Sequence, residues 1–338
     1  MIKNDYIDNS PIIIYYYYDL SDTDDFCKKL EKWFRRGGHT RELRFISWDC
    51  YNELPSRDGD IYCYDAIVLS SLVDKGYLHE LPDIISTENV FPWILDRSRI
   101  RNKIYGIPHM GCANLLISRE EDYTPISNIY QVPKGLSAPL KSMASFYYLY
   151  ALCNLQDRRS EIVKTLQCIR SLMTDDCYER SRFMNYDGFE RFKRGEVRYL
   201  IGFAEDIRHL DPGRYKVQLM NLSDGPINEM PLFPVDFASL GVNVSGEKLL
   251  DCLDLLEIIA DSDFIYDICF SNGRLQYMLP ADMTLYPRLE KADPIYRDFY
   301  EILSYENNGI IRFGKNYYAD FRKNQAELMK MLENLLNI

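Results

Sequence analysis

Two residues in this chain have the types and the surroundings for covalent chemistry. Cys112 follows Ile107-Pro108-His109-Met110-Gly111 and precedes a second apolar run, Ala113 to Ile117. A cysteine is the best side-chain nucleophile near neutral pH and needs only a base or a positive environment to become thiolate. Glu205 ends Gly202-Phe203-Ala204-Glu205, where an apolar strand opens into a loop, and a carboxylate there can take the thiol proton. Both residues also have a structural reading. Free cysteine is most often packed in a core, and Glu205 with Asp206 is equally suited to the first turn of a helix, complementing its dipole.

Two aspartates, Asp65 and Asp236, lie in apolar runs, where a buried carboxylate requires a partner. They suit a cationic or amine-bearing ligand; a strand-end cap or a hydrogen-bonding hub is the alternative. Tyr17 (in the run Tyr15 to Tyr18), Tyr51 and Tyr186 are candidates for stacking on a flat ligand. Strand alternation sends only half of the Tyr15–Tyr18 run to any one face, so core packing is the default for the others. His109, three residues before Cys112, is better suited to an ordinary polar role than to assisting it.

Other function classes find no support. There is no G-x-S-x-G elbow, P-loop, G-x-G-x-x-G or H-E-x-x-H motif, which counts against common hydrolases, nucleotide enzymes and zinc peptidases. The nine cysteines contain no C-x-x-C pair and no zinc-like spacing, so no metal or cofactor is expected. Most of them sit in apolar segments as free thiols would, which points to a reducing compartment. The net charge of −11 argues against nucleic acid or an anionic membrane as partner. The opening MIKNDYIDNSPIIIYYYY does not read as a signal peptide, and no stretch approaches a membrane span. A cytoplasmic monomer is therefore expected, or a secreted one if a leader has been removed.

A length of 338 residues favours two lobes over one core. Ile12 to Tyr18, Leu43 to Trp48 and Ile61 to Leu69 read as strands, the last without alternation, as in a parallel strand covered on both faces. A helix capped by Ser21 to Asp25 lies between the first two and ends at Gly37-Gly38. Strand, helix, strand at the start of the chain argues for a doubly wound α/β sheet. Helices are expected over about 142–174, from Gly246 to Ala260 and from Tyr318 to Leu336.

The order of these pieces resembles a type II periplasmic binding protein, a two-lobed α/β fold with its ligand cleft between the lobes. By that resemblance residues 1–115 and 237–338 form one lobe and 116–236 the other, with crossings near Gly111 and Asp236. More specifically, Asp49-Cys50-Tyr51, Tyr62-Cys63-Tyr64-Asp65-Ala66-Ile67, Tyr105-Gly106-Ile107-Pro108 with Gly111-Cys112, Tyr186-Asp187-Gly188-Phe189, Gly202-Phe203-Ala204-Glu205 and Phe233-Pro234-Val235-Asp236 resemble the thiaminase I family (thiamine pyridinylases) over most of the chain.

The resemblance implies that Cys112 attacks the pyrimidine ring and that Glu205 is its base. It also implies that Asp65 contacts the aminopyrimidine, that Asp236 is a second cleft aspartate, and that Tyr17, Tyr51 and Tyr186 stack on the ligand. The partners implied are a cationic or aminopyrimidine-like small molecule and a small amine or thiol nucleophile. Family members usually carry an aromatic hydroxyl where Phe203 stands and a tyrosine where Pro234 stands. Two alternatives therefore stay open: a cysteine-dependent transferase of the same fold acting on another biosynthetic substrate, and a non-enzymatic solute-binding protein.

Overall fold

The computed structural model describes residues 10–17, 23–82, 87–126, 128–139, 159–181, 187–210, 215–219, 232–306 and 308–310, with two further residues, 330 and 334. The first strand, β1 (Ile12–Tyr16), pairs in parallel with β2 (Leu43–Ser47) on one side and β3 (Ile61–Asp65) on the other. The helix Thr23–Arg36 connects β1 to β2 and buries Phe26, Leu30 and Phe34. This is the βαβ unit expected from the sequence.

Two antiparallel strands, β4 (Ile107–Gly111) and a later one spanning Val235–Leu240, extend the same sheet, and the short strand Leu279–Pro280 closes it. A four-stranded sheet is built from β5 (Asn114–Arg119), β6 (Leu136–Ser137), β7 (Tyr199–Phe203) and β8 (Tyr215–Leu219). The sheets change over slightly earlier than the sequence suggests. Asn114 and Leu115 already belong to the second sheet, and Val235 and Asp236 already belong to the first.

Strand β3 is shorter than its apolar run. It stops at Asp65, whose Oδ1 accepts the Ile67 N–H at 2.9 Å, and the chain turns into a 3₁₀ turn and then the helix Leu69–Asp74. The run stays buried through Leu69, which is why composition alone extends the strand. A carboxylate capping a turn overrides strand propensity here.

The helix Gly246–Ala260 is as expected and packs on the first sheet through Cys252, Leu255, Leu256 and Ile259. The helix Ile295–Leu303 lies against β8 of the second sheet, with Lys216 Nζ 2.9 Å from Asp298. The Leu303 carbonyl just beyond accepts the indole N–H of Trp93 at 2.7 Å. This C-terminal segment thus touches more than the first sheet, beyond the two crossings expected. Of the expected helix over about 142–174, Arg159–Leu172 is described; the expected helix Tyr318 to Leu336 lies almost wholly outside the described residues.

Tyrosine serves the core more than the cleft. Tyr62, Tyr64, Tyr286 and Tyr296 are fully buried, and their hydroxyls bond to Ser56 O, Ser239 Oγ, Pro280 O and Met278 O respectively. Each fills volume while satisfying its one polar atom.

Just past the interior strand Val235–Leu240, the backbone makes an approach that only glycine permits. A Cβ on Gly241 would stand 2.1 Å from the Gly59 carbonyl oxygen and 3.1 Å from its carbon. Gly241→Ala is expected to destabilise the fold by about 3 kcal/mol, the upper range for overpacking, because backbone rather than a flexible side chain must move. A thermal melt with an unchanged midpoint would contradict this.

Candidate active site

The chain passes from the first sheet to the second through two residues only, Cys112 and Ala113, between β4 and β5. The return passage, through Pro234, runs alongside: the Cys112 N–H donates to the Pro234 carbonyl at 3.0 Å, and Val235 pairs with Gly111. The Ala113 carbonyl accepts the Ala204 N–H at 3.1 Å, joining the end of β7 to the same point. Three segments thus converge on Cys112, and their backbone hydrogen bonds fix its position before any side chain is considered.

Glu205 is the second residue of the 3₁₀ helix Ala204–His209 that follows β7. The cap of this helix is supplied by Asp206, whose Oδ2 accepts the Phe203 N–H at 2.8 Å. Glu205 therefore does not serve as that cap. Its two carboxylate oxygens each lie 3.1 Å from Cys112 Sγ. That distance suits an S–H donating to a carboxylate.

Desolvation raises the Cys112 thiol well above its usual range, and the neighbouring charges of Glu205, Asp206 and Asp236 push it the same way. The thiol is thus held in its neutral form beside Glu205. A cation entering the site would offset those negative charges and lower the cost of ionising the thiol.

The second group lies where β1 and β3 end. Tyr17 is anchored by its N–H to the Cys63 carbonyl at 3.0 Å, and its ring meets that of Tyr51 edge-on, with centroids 4.9 Å apart. The Tyr51 hydroxyl donates to Asp65 Oδ2 at 2.9 Å. Asp65 is almost completely buried, and burial pushes its carboxyl up to about 7, against the Ile67 N–H and the Tyr51 hydroxyl, which act the other way.

Asp236 stands directly across from Asp65 in the antiparallel register, at a β-bulge between Asp236 and Phe237. Directly opposed residues project to one face with their Cβ atoms about 5 Å apart, so the two aspartates lie on the same face of the sheet. The charge of Asp236 bears on Cys112 and also on Cys50, the buried thiol just before Tyr51.

Of the residues singled out in the sequence, the structure groups Cys112 with Glu205, and Tyr17 with Tyr51, Asp65 and Asp236. Tyr186 lies outside the described residues. His109 is buried on β4, and burial brings its imidazole down to about 4. It is a neutral core residue, lining a small apolar cavity with Phe26, Phe264 and Met278.

The sequence offers Glu205 and Asp206 alike for the first turn of this helix, and the structure gives the capping role to Asp206. One His/Asp grouping among the described residues has metal-like spacing: His39, Asp251 and Asp254. Arg41 Nε already holds Asp251 at 2.5 Å, so that carboxylate is committed. The eight described cysteines are free thiols. No described helix is long and apolar enough to cross a membrane.

No family model matches the chain. It is 27% identical over 327 residues to thiaminase-1 of Paenibacillus thiaminolyticus, covering 84% of this chain and 79% of that one. In structure it is similar to Clostridium botulinum thiaminase I in complex with thiamin, with a TM-score of 0.82 and 24% identity over 95% of this chain and all of that one. It is also similar to an ABC substrate-binding protein of Listeria monocytogenes in complex with cycloalternan, with a TM-score of 0.68 and 13% identity over 97% and 94% of the two chains.

The fold is thus the two-lobed type II periplasmic-binding-protein fold. Within that class, the resemblance to thiaminase I holds in sequence and in fold across most of the chain.

Proposed function

We propose that the protein is a thiaminase I-like transferase that displaces the thiazole of thiamine, or of a close analogue, with an amine or thiol. The observation that carries this reading is the thiol of Cys112 held 3.1 Å from both oxygens of Glu205, at the point where the chain crosses between sheets. Similarity to thiaminase-1 in sequence supports it. Glu205 takes the thiol proton, and the thiolate adds to the aminopyrimidine at the ring carbon beside a ring nitrogen.

Asp65, with its carboxyl near 7, is a proton donor to that ring at neutral pH, which makes the ring a better electron sink. In this reading Asp236, opposite it in register, accepts from the amino group. The thiazolium then departs as a neutral thiazole, the incoming nucleophile bonds to the methylene carbon, and Cys112 is released. Tyr17 and Tyr51 flank the ring, and Tyr186 is assigned the same role from the resemblance alone. The electrostatics favour this substrate: a thiazolium cation complements the negative charges of Glu205, Asp206 and Asp236 that bear on Cys112. The free thiols support a reducing, cytoplasmic setting.

Intact-mass measurement after incubation with thiamine and no added nucleophile tests the reading. The expected result is a gain equal to the pyrimidinylmethyl fragment, located on Cys112 by peptide mapping and removed by adding aniline. Reversible binding without a mass change would assign the protein to solute capture. An adduct from another metabolite only would move it to a different transferase reaction.

A further inference from the structure

Among the described arginines that are buried or half-buried, two leave a buried guanidinium nitrogen unpaired: Arg191 at Nε, although its other two nitrogens reach Asp176 and Glu196, and Arg208 at Nη1. Arg41 is held by Asp251, Arg119 by the Phe192 carbonyl, Arg170 by Asp175, and Arg191 by Asp176 and Glu196. Arg208 is half-buried as they are, yet its Nη1 is sealed from solvent and has no hydrogen-bond partner. Its Nε reaches only the neighbouring His209 ring, at 3.4 Å. In a chain of net charge −11, carboxylates to pair with it are plentiful. A guanidinium nitrogen desolvated without an acceptor is costly, so such an atom marks a place for an acceptor from outside the chain.

Its position connects it to the site. Arg208 lies on the 3₁₀ helix Ala204–His209, where residues three apart eclipse one another. It stands one turn beyond Glu205 on the same edge, and Glu205 faces Cys112. The other edge is committed: Asp206 caps the helix, and His209 packs against the Phe189 ring.

We propose that Arg208 is an anion-recognising residue of this site, receiving a carboxylate or phosphate oxygen carried by one of the two reactants. The identity of those reactants rests on the transferase reading above. A planar guanidinium matches such an oxyanion with paired donors, and the charge-assisted bond is stronger than a neutral one. Two sources supply this chemistry: an acidic group on the accepting amine or thiol, or a phosphate ester on the hydroxyethyl arm of the donor.

Paired rate measurements separate the two sources. kcat/KM is compared for aniline and 4-aminobenzoate as acceptors, and for thiamine and thiamine monophosphate as donors, in wild type and in Arg208→Met. The wild type is expected to prefer the anionic member of one pair by about tenfold or more. In Arg208→Met that ratio falls towards one, and the pair affected identifies the source. Arg208→Lys is expected to keep part of the preference, and it serves as the working variant if Arg208→Met does not fold.

Calorimetric binding of inorganic phosphate and of 4-aminobenzoate needs no turnover and is expected to weaken about tenfold in Arg208→Met for at least one of them. If thiamine is not consumed but this binding depends on Arg208, the reaction assignment fails and the anion site stands. If thiamine is consumed while ratios and binding match the wild type in both variants, the role of Arg208 is overturned and the reaction assignment stands.

Discussion

Cys112→Ser is expected to bring the proposed transfer to background while leaving the melting temperature within a few degrees of wild type. A neutral hydroxyl is far less nucleophilic than a thiolate and far harder to ionise than a thiol. The backbone that positions residue 112 is held by the Pro234 carbonyl and by the flanking β4 and β5 pairings, none of which involves the sulfur. Glu205→Gln keeps the shape of the site but removes its base. Loss of one proton-transfer group costs about 10²–10⁴-fold in rate, and the effect should fall on kcat/KM with ligand binding retained. Steady-state kinetics beside a binding isotherm reads both. Activity in Cys112→Ser within tenfold of wild type would remove the covalent step from the reaction.

The second large effect is a trade of stability against activity at Asp65. Its carboxyl lies at about 7 in the folded protein against an ordinary value of 3.8, and the main cause is burial. The folded state therefore holds a proton that the unfolded state gives up between those two values. The sign follows: the unfolded state binds fewer protons across this window, so stability falls as pH rises from about 4 to about 7 and levels off above.

At pH 8 the buried charge costs on the order of 2–4 kcal/mol, taking 1.36 kcal/mol per pH unit and allowing for relaxation. Asp65→Asn removes that charge. Its carbonyl oxygen can still accept the Ile67 N–H, and its amide can donate to the Tyr51 oxygen. The variant is expected to melt several degrees above wild type at pH 8, with the gap closing towards pH 5, and to lose about 10²–10⁴-fold in turnover if Asp65 is the ring's proton donor. A variant equally stable at both pH values would show that the Asp65 carboxyl is not held high.

The pieces of the site were legible in the sequence because each sits at a break in a pattern. Cys112 follows Gly111 between two apolar runs, Glu205 ends a strand, and Asp65 and Asp236 interrupt hydrophobic stretches. The βαβ opening and the helix Gly246–Ala260 follow from local periodicity and caps, which act over a few residues and need no distant partner.

What the sequence left open were choices between equivalent local roles. Either Glu205 or Asp206 suits the first turn of a helix. Tertiary structure gave the cap to Asp206 and turned Glu205 to Cys112, 93 positions away in the chain. The face-to-face register of Asp65 with Asp236 depends on two strands far apart in sequence meeting antiparallel. The early end of β3 was hidden because its apolar run continues into a buried turn, where hydrophobicity reports burial and not strand. By itself the sequence determined which residues are chemically able to act and which elements carry them. Only the tertiary structure decided which of them meet, because a sulfur–carboxylate contact at 3.1 Å is set by backbone pairing between distant segments, and local propensity carries no information about that distance.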